Sequence, residues 1–199
     1  IIARQIPAVY VGRPPDASRT SFVDVDNVAG AYLATSHLLR LGYQRIATIS
    51  GPQNSTVGLD RREGYLKALQ ERGREIDPCL MSEGDFSRDS GYTAMRQLLP
   101  QRPDAVFVAT DTMALGAIQA IQEAGLEIPG DMAVIGFDDL PLAAQADPPL
   151  TTIRQPVRYT GFLAVQILIE LLETALQPPR HIILPTELVI RATCGALRS

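Results

Sequence analysis

The chain has 199 residues, 46% hydrophobic and 20% charged, with a formal net charge of −4. That length suits one large domain or two lobes of about 100 residues each, and the composition is that of a folded chain rather than a disordered one. No apolar run approaches the ~20 residues of a membrane helix, and no Lys/Arg stripe offers a nucleic-acid surface.

Hydrophobic runs and Gly/Pro punctuation give the elements in chain order. Ala8–Val11 and Phe22–Val25 read as short strands. Asn27–Leu41 carries Val28, Ala31, Leu33, Leu38 and Leu41 at helical spacing; Asp26 or Asn27 can cap its start, and Gly42 stops it. A strand at Arg45–Ser50 and the loop Gly51–Val57 lead into a helix from Leu59 to Arg72, ended by Gly73. A weak strand near Cys79–Met81 and a helix over Ser90–Leu99 follow. Asp104–Ala109 and Met132–Phe137 read as buried strands flanking a helix from Thr112 to Ala124. Thr151–Ile153 is a short strand, Val157–Leu176 a long apolar helix broken by Pro178 and Pro179, and Ile182–Leu184 and Glu187–Arg191 two closing strands.

Strand and helix alternate, and the central strands are apolar throughout. That is the signature of a parallel sheet covered by helices on both faces. Ligands of such sheets sit at the carboxyl ends of the strands, so function is expected in Gly51–Val57, Thr110–Asp111, Asp138–Leu140 and Arg154–Pro156. The two cysteines, Cys79 and Cys194, are scattered and read as buried thiols.

Catalytic patterns are absent from the sequence. Its two histidines, His37 and His181, have no nucleophile context, and neither phosphate-loop motif occurs. The cysteines have no metal-ligand partners nearby. The loop GPQNSTVG at Gly51–Gly58 follows a strand and precedes a helix; it is either a receiver for an oxygen-rich ligand group or an ordinary polar connection. Arg61 and Arg62 oppose the helix dipole near a helix start, so one of them is expected to reach a ligand and the other to be solvated. Asp138 and Asp139 close a strand; each either accepts hydrogen bonds from a ligand or serves as a cap or loop ion pair, and with Asp111 they also allow a hydrolase reading. Phe86, in a loop, either stacks on a ligand or packs on its own sheet.

Several segments, in order, carry a family resemblance. They are VDN-x2-G-x3-A-x2-HL-x3-GY-x-RIATIS at Val25–Ser50, R-x-x-G at Arg61–Gly64 and GDFSRDSGYTAM at Gly84–Met95. They continue with ATDTMALGAIQAIQEAGLEIPGDMAVIGFDDLPLAA at Ala109–Ala144, PPLTTIRQP at Pro148–Pro156 and LPTELVIRAT at Leu184–Thr193. The chain resembles the LacI/GalR family of transcriptional regulators along its whole length.

The resemblance implies an α/β fold of the periplasmic-binding-protein type: two doubly wound parallel-sheet lobes joined by three crossovers, with an effector in the cleft. The crossovers are expected near Gly42–Arg45, Thr152–Gln155 and Gln177–Arg180. The first lobe would comprise residues 1–42 plus 154–178 and the second 43–153 plus 179–199. The first lobe is expected to be incomplete, because Ile6–Tyr10 resembles a late strand of that lobe. The DNA-binding head is expected to lie outside this chain.

By position, Arg61 matches the family's effector-binding arginine, Asp138 its ligand-accepting aspartate and Phe86 its stacking aromatic. Thr110 stands where many members carry Asn, Asp111 follows it, and Ser55 lies on a loop that often contributes a polar contact. The implied function is effector sensing by a repressor rather than catalysis. The ligand is a sugar or a purine-like metabolite, and no cofactor or metal is needed. Partners would be operator DNA, through the missing helix-turn-helix, and a second copy in a homodimer; the location is the cytoplasm, with no membrane association. The alternative is a periplasmic solute-binding protein of a sugar transporter.

Overall fold

The computed structural model describes residues 7–173 and 178–197. Its contacts divide the chain into two units. Unit 1 is Ile1–Asp26 with Gln155–Thr186, and unit 2 is Asn27–Arg154 with Glu187–Ser199.

Unit 2 is built on a six-stranded sheet. Its strands are β3 (Ile46–Ser50), β4 (Met81–Glu83), β5 (Ala105–Val108), β6 (Ala133–Asp138), β7 (Thr151–Arg154) and β9 (Glu187–Val189), in the order β4-β3-β5-β6-β7-β9. Every pairing is parallel except β7 with β9. Helices α1 (Asn27–Arg40) and α2 (Thr56–Glu71) cover one face, where Ala31, Ala34, Leu38, Tyr65 and Leu69 meet Ile46, Phe107, Ile135, Phe137 and Ile153. On the other face, α3 (Arg88–Leu98) and α4 (Asp111–Glu123) pack Ala94, Met95, Met113 and Ile121 onto Ile49, Val106, Val108 and Val134. A strand flanked on both faces by helices has no solvent side, which is why β3, β5 and β6 show no polar alternation. A short helix, α5 (Pro141–Gln145), follows β6.

Unit 1 holds a parallel three-stranded sheet of β1 (Val9–Val11), β2 (Ser21–Val25) and β8 (His181–Leu184), with β2 in the centre. Helix α6 (Val157–Glu173) sets Ala164 and Ile167 against Val23, Val25 and Leu184. On the opposite face Phe22 stacks on His181 at 4.6 Å between ring centroids. Asp24 there accepts a hydrogen bond from the Arg13 backbone N–H at 2.9 Å. α6 is apolar on its outer side as well: Phe162, Val165, Ile169 and Leu172 are each at least half exposed.

Several expected boundaries move. α1 joins unit 2 rather than the first lobe, because Ala31, Ala34 and Leu38 are core to the unit 2 sheet. The closing strands split: β8 pairs with β2 in unit 1, and β9 pairs with β7 in unit 2. The chain therefore passes between units after Asp26, Arg154 and Thr186. Of the expected crossovers, only Thr152–Gln155 contains one of these points. The weak strand expected at Cys79–Met81 begins at Met81, because Asp77 accepts from the Cys79 N–H and holds Pro78–Leu80 in a 3-10 turn. Cys79 is exposed, against expectation, while Cys194 is buried; both are free thiols. The end of the expected helix Val157–Leu176, together with Gln177 and Ile1–Ile6, lies outside the described residues. No described helix is long and apolar enough to cross a membrane.

Candidate functional site

The carboxyl ends of β3, β5, β6 and β7 gather the polar residues that the sequence singles out. Arg61 sits in the second turn of α2 and is buried to 4% exposure. Its guanidinium carbon lies 3.6 Å from the centroid of the Phe137 ring, a cation–π contact. Its Nε donates to Asn27 Oδ1 at 2.9 Å, and one terminal nitrogen donates to the Ala109 carbonyl and, at 3.2 Å, to Asp138 Oδ1. A buried guanidinium needs such partners, since an unpaired charge out of water is costly. Arg62, one step round the helix, instead donates to Gln53 Oε1 at 3.2 Å.

Asp138 ends β6, with its side chain 19% exposed. Its φ is 121° and that of Asp139 is 56°, two successive non-glycine residues in the left-handed half of conformational space. Such residues cost on the order of 1–3 kcal/mol each and persist only where surroundings hold them. The surroundings here are specific. Asp139 receives Arg154 Nε at 2.7 Å and an Arg191 terminal nitrogen at 2.6 Å. Burial pushes the Asp139 carboxyl up, but the hydrogen bonds and charges of Arg191 and Arg154 hold it below its ordinary value. Asp139 is thus a loop ion pair, one of the two roles its sequence position left open. The Leu140 N–H donates to Asp111 Oδ2 at 2.8 Å.

Asp111 opens α4 and is fully buried. Besides Leu140 it accepts the Thr152 hydroxyl through Oδ1 at 2.5 Å. Gly136 of β6 makes room for this: a Cβ there would stand 2.4 Å from Asp111 Oδ1. Burial pushes the Asp111 carboxyl up to about 7, further raised by the charges of Asp138 and Asp139 and opposed by the bonds from Thr152 and Leu140. Asp111 therefore holds the loop after β6 from beneath. Thr110 is the N-cap of α4, its hydroxyl accepting from the Met113 N–H at 3.2 Å. Ser55 is the N-cap residue of α2, but its hydroxyl does not cap the helix.

Phe86, with φ 71°, turns its ring onto the end of β3. A Cβ on Gly51 would lie 2.2 Å from Phe86 Cε1, so glycine at 51 is what lets the ring settle there. The ring also packs against the α3/α4 core and stays partly exposed. The structure thus brings Arg61 and Asp138 into direct contact and sets Asp111 beneath the same loop. Thr110 and Ser55 stand at helix starts, and Phe86 lies on the loop after β4. Sequence reasoning did not single out Asn27, Phe137, Thr152 or Arg191 as members of the site, while Arg154 opens the loop Arg154–Pro156, where function was expected. All four lie inside the segments that carry the family resemblance: Asn27 in VDN, Phe137 in the segment Ala109–Ala144, Thr152 in LTTIRQP and Arg191 in LPTELVIRAT.

The sequence pattern of the periplasmic binding protein-like domain matches residues 35–194. A solved LacI-family regulatory protein from Chloroflexus aggregans is 35% identical; the match covers 96% of this chain and 69% of that one, with a TM-score of 0.88. The chain belongs to the LacI family of transcriptional regulators. Another relative is the HTH-type transcriptional regulator CelR of Thermobifida fusca, 41% identical over 191 residues, covering 94% of this chain and 56% of that protein. A solved CelR–cellobiose complex superposes with a TM-score of 0.92 at 40% identity, covering 94% of this chain and 59% of the other. The chain spans a little over half the length of curated family members it matches. Such members are regulators rather than enzymes.

Proposed function

We propose that this chain is the effector-sensing part of a bacterial transcriptional repressor. Its effector, a sugar or a related metabolite such as a purine, rests at the carboxyl edge of the unit 2 sheet. The observation that carries the reading is the Arg61–Asp138 pair, whose two charged groups meet 3.2 Å apart on a loop edge held from below by Asp111. Asp138 accepts from ligand hydroxyls, Arg61 fixes its carboxylate and shares the ligand's oxygens, and Phe86 offers an apolar face. Thr110 and Ser55 border the same edge. A carboxylate, a guanidinium and an aromatic ring together suit a polyol, and the CelR relative is solved with cellobiose. The effector acts by binding one conformation better than another, since equal affinity for both shifts nothing. Operator DNA is engaged by a part of the protein beyond this chain. The working form is a cytoplasmic homodimer without catalytic activity.

A thermal-shift panel tests this, using cellobiose, other mono- and disaccharides, and purine bases. A ligand at a hundredfold excess over its Kd adds about 2.7 kcal/mol of stability. One class is expected to raise Tm, and Arg61→Ala and Asp138→Ala are each expected to remove the shift while the protein stays folded. Full response in both variants, or sustained turnover of a glycoside that Asp138→Asn abolishes, overturns the assignment.

A further inference from the structure

We propose that Arg154 is a positioning residue for effector binding, acting through the strained Asp138–Asp139 turn; this rests on the effector reading above. Arg154 is the last residue of β7, and the chain leaves unit 2 directly after it. The chain re-enters unit 2 at Glu187. Three features converge on this one side chain. First, Arg154 is the register partner of Asp138 across β6/β7 and of Glu187 across β7/β9. Second, its guanidinium spans two carboxylates, Asp139 Oδ2 at 2.7 Å and Glu187 Oε2 at 3.3 Å. Third, Asp139 is taken on its other oxygen by Arg191, which is itself anchored on the Leu150 carbonyl at 2.8 Å.

A single exposed ion pair contributes little, and nearly half of the Arg154 side chain is in water. The carboxylate it holds differs: Asp139 is only 10% exposed and receives two guanidinium groups at short range. Its backbone φ of 56° follows the 121° of Asp138, so the turn relaxes unless Asp139 is tethered. Relaxation carries Asp138 away from Arg61, because Asp138 and Asp139 are adjacent in the chain. Arg154 therefore does not touch the effector; it fixes the direction of the carboxylate that does. Because it grips Glu187 as well, the same side chain ties that turn to the two points where β7 and β9 meet the chain's passages into unit 1.

The test combines Arg154→Gln, Arg154→Lys and Asp138→Asn with two readouts. Amide hydrogen exchange needs no ligand. Arg154→Gln is expected to speed exchange at Asp139 and Leu140 about tenfold while α2 and α4 amides keep their protection, with Arg154→Lys intermediate. Unchanged exchange at Leu140, or acceleration spread evenly over unit 2, overturns the proposal. The second readout is the Kd for cellobiose in a double-mutant cycle. Arg154→Gln is expected to weaken binding about tenfold in the parent and less than about twofold when Asp138 is already Asn. Equal weakening in both backgrounds overturns positioning through Asp138. If the parent binds cellobiose and Asp138→Asn leaves that binding intact, the effector reading fails at that point, while the exchange result still decides whether Arg154 holds the turn.

Discussion

Raising the pH from about 4.5 to about 7.5 should weaken the fold through one carboxyl group, and replacing Asp111 with Asn should remove that dependence. Asp111 is fully buried, and its carboxyl is pushed up from 3.8 to about 7. In the unfolded chain the group ionises near its ordinary value. Between those two points the native state keeps a proton that the unfolded state has released, so stability falls as pH rises. Below the lower value both states are protonated, and above the upper one both are ionised, so the loss is confined to that window and complete above it. A tenfold difference in proton affinity between the folded and unfolded chain is worth about 1.4 kcal/mol, which makes about 4 kcal/mol an upper limit and about 2–4 kcal/mol the expected span. Asn keeps one acceptor for the Thr152 hydroxyl but opposes its NH2 to the Leu140 N–H, a loss of about 1 kcal/mol that does not vary with pH. Urea unfolding followed by circular dichroism gives the stability of each protein across the range. Wild type minus Asp111→Asn should decline steadily with pH. A difference constant to within about 0.5 kcal/mol would show that Asp111 is ionised at all these pH values, and the argument from its burial would be wrong.

Gly136→Ala puts a methyl group 2.4 Å from Asp111 Oδ1 and 3.0 Å from Leu150, and should destabilise the fold by about 1–3 kcal/mol in the same unfolding assay. Tyr65→Phe deletes the hydroxyl that donates to the Ile46 carbonyl at 2.8 Å in the core; a loss of about 1 kcal/mol is expected, with the effector response unchanged. Gly51→Ala brings a methyl group 2.2 Å from Phe86 Cε1 and 3.3 Å from the Gly58 Cα, so the ring must leave its seat against the α3/α4 core. The unfolding free energy should fall by about 1–3 kcal/mol, and the ligand-induced rise in Tm should be cut back. Thr110→Ala removes a helix N-cap and should cost about 1 kcal/mol whether or not ligand is present.

The elements that periodicity exposed were those with the simplest surroundings. β3, β5 and β6 are apolar because helices cover both faces, and such runs stand out in any reading. What periodicity could not supply was partnership over long separations. α1 has the same spacing whichever sheet it covers, so its place in unit 2 became visible only through Ala31, Ala34 and Leu38. The closing strands look alike, yet one adds parallel to β2 and the other antiparallel to β7. The site divides the same way. Arg61 and Asp138 were recognisable from local motif and helix-dipole logic, but their contact joins residues 77 apart. Asp111 was a weak candidate because nothing local says that Thr152, 41 residues on, donates to it. The left-handed backbone of Asp138 and Asp139 was hidden for a different reason. Such geometry is normally announced by glycine, and here two arginines hold it in place of glycine's freedom.

The outward side of α6 has a practical consequence for anyone handling this polypeptide by itself. Phe162, Val165, Ile169 and Leu172 recur at intervals of three and four residues, so they align as a greasy ridge along the helix. Water wets such a ridge poorly, and solutions of the purified chain should scatter more light as they are concentrated and brighten a hydrophobic dye even when fully folded. Replacing Val165 and Ile169 with glutamate should quiet both signals without disturbing the inward-facing Ala164 and Ile167.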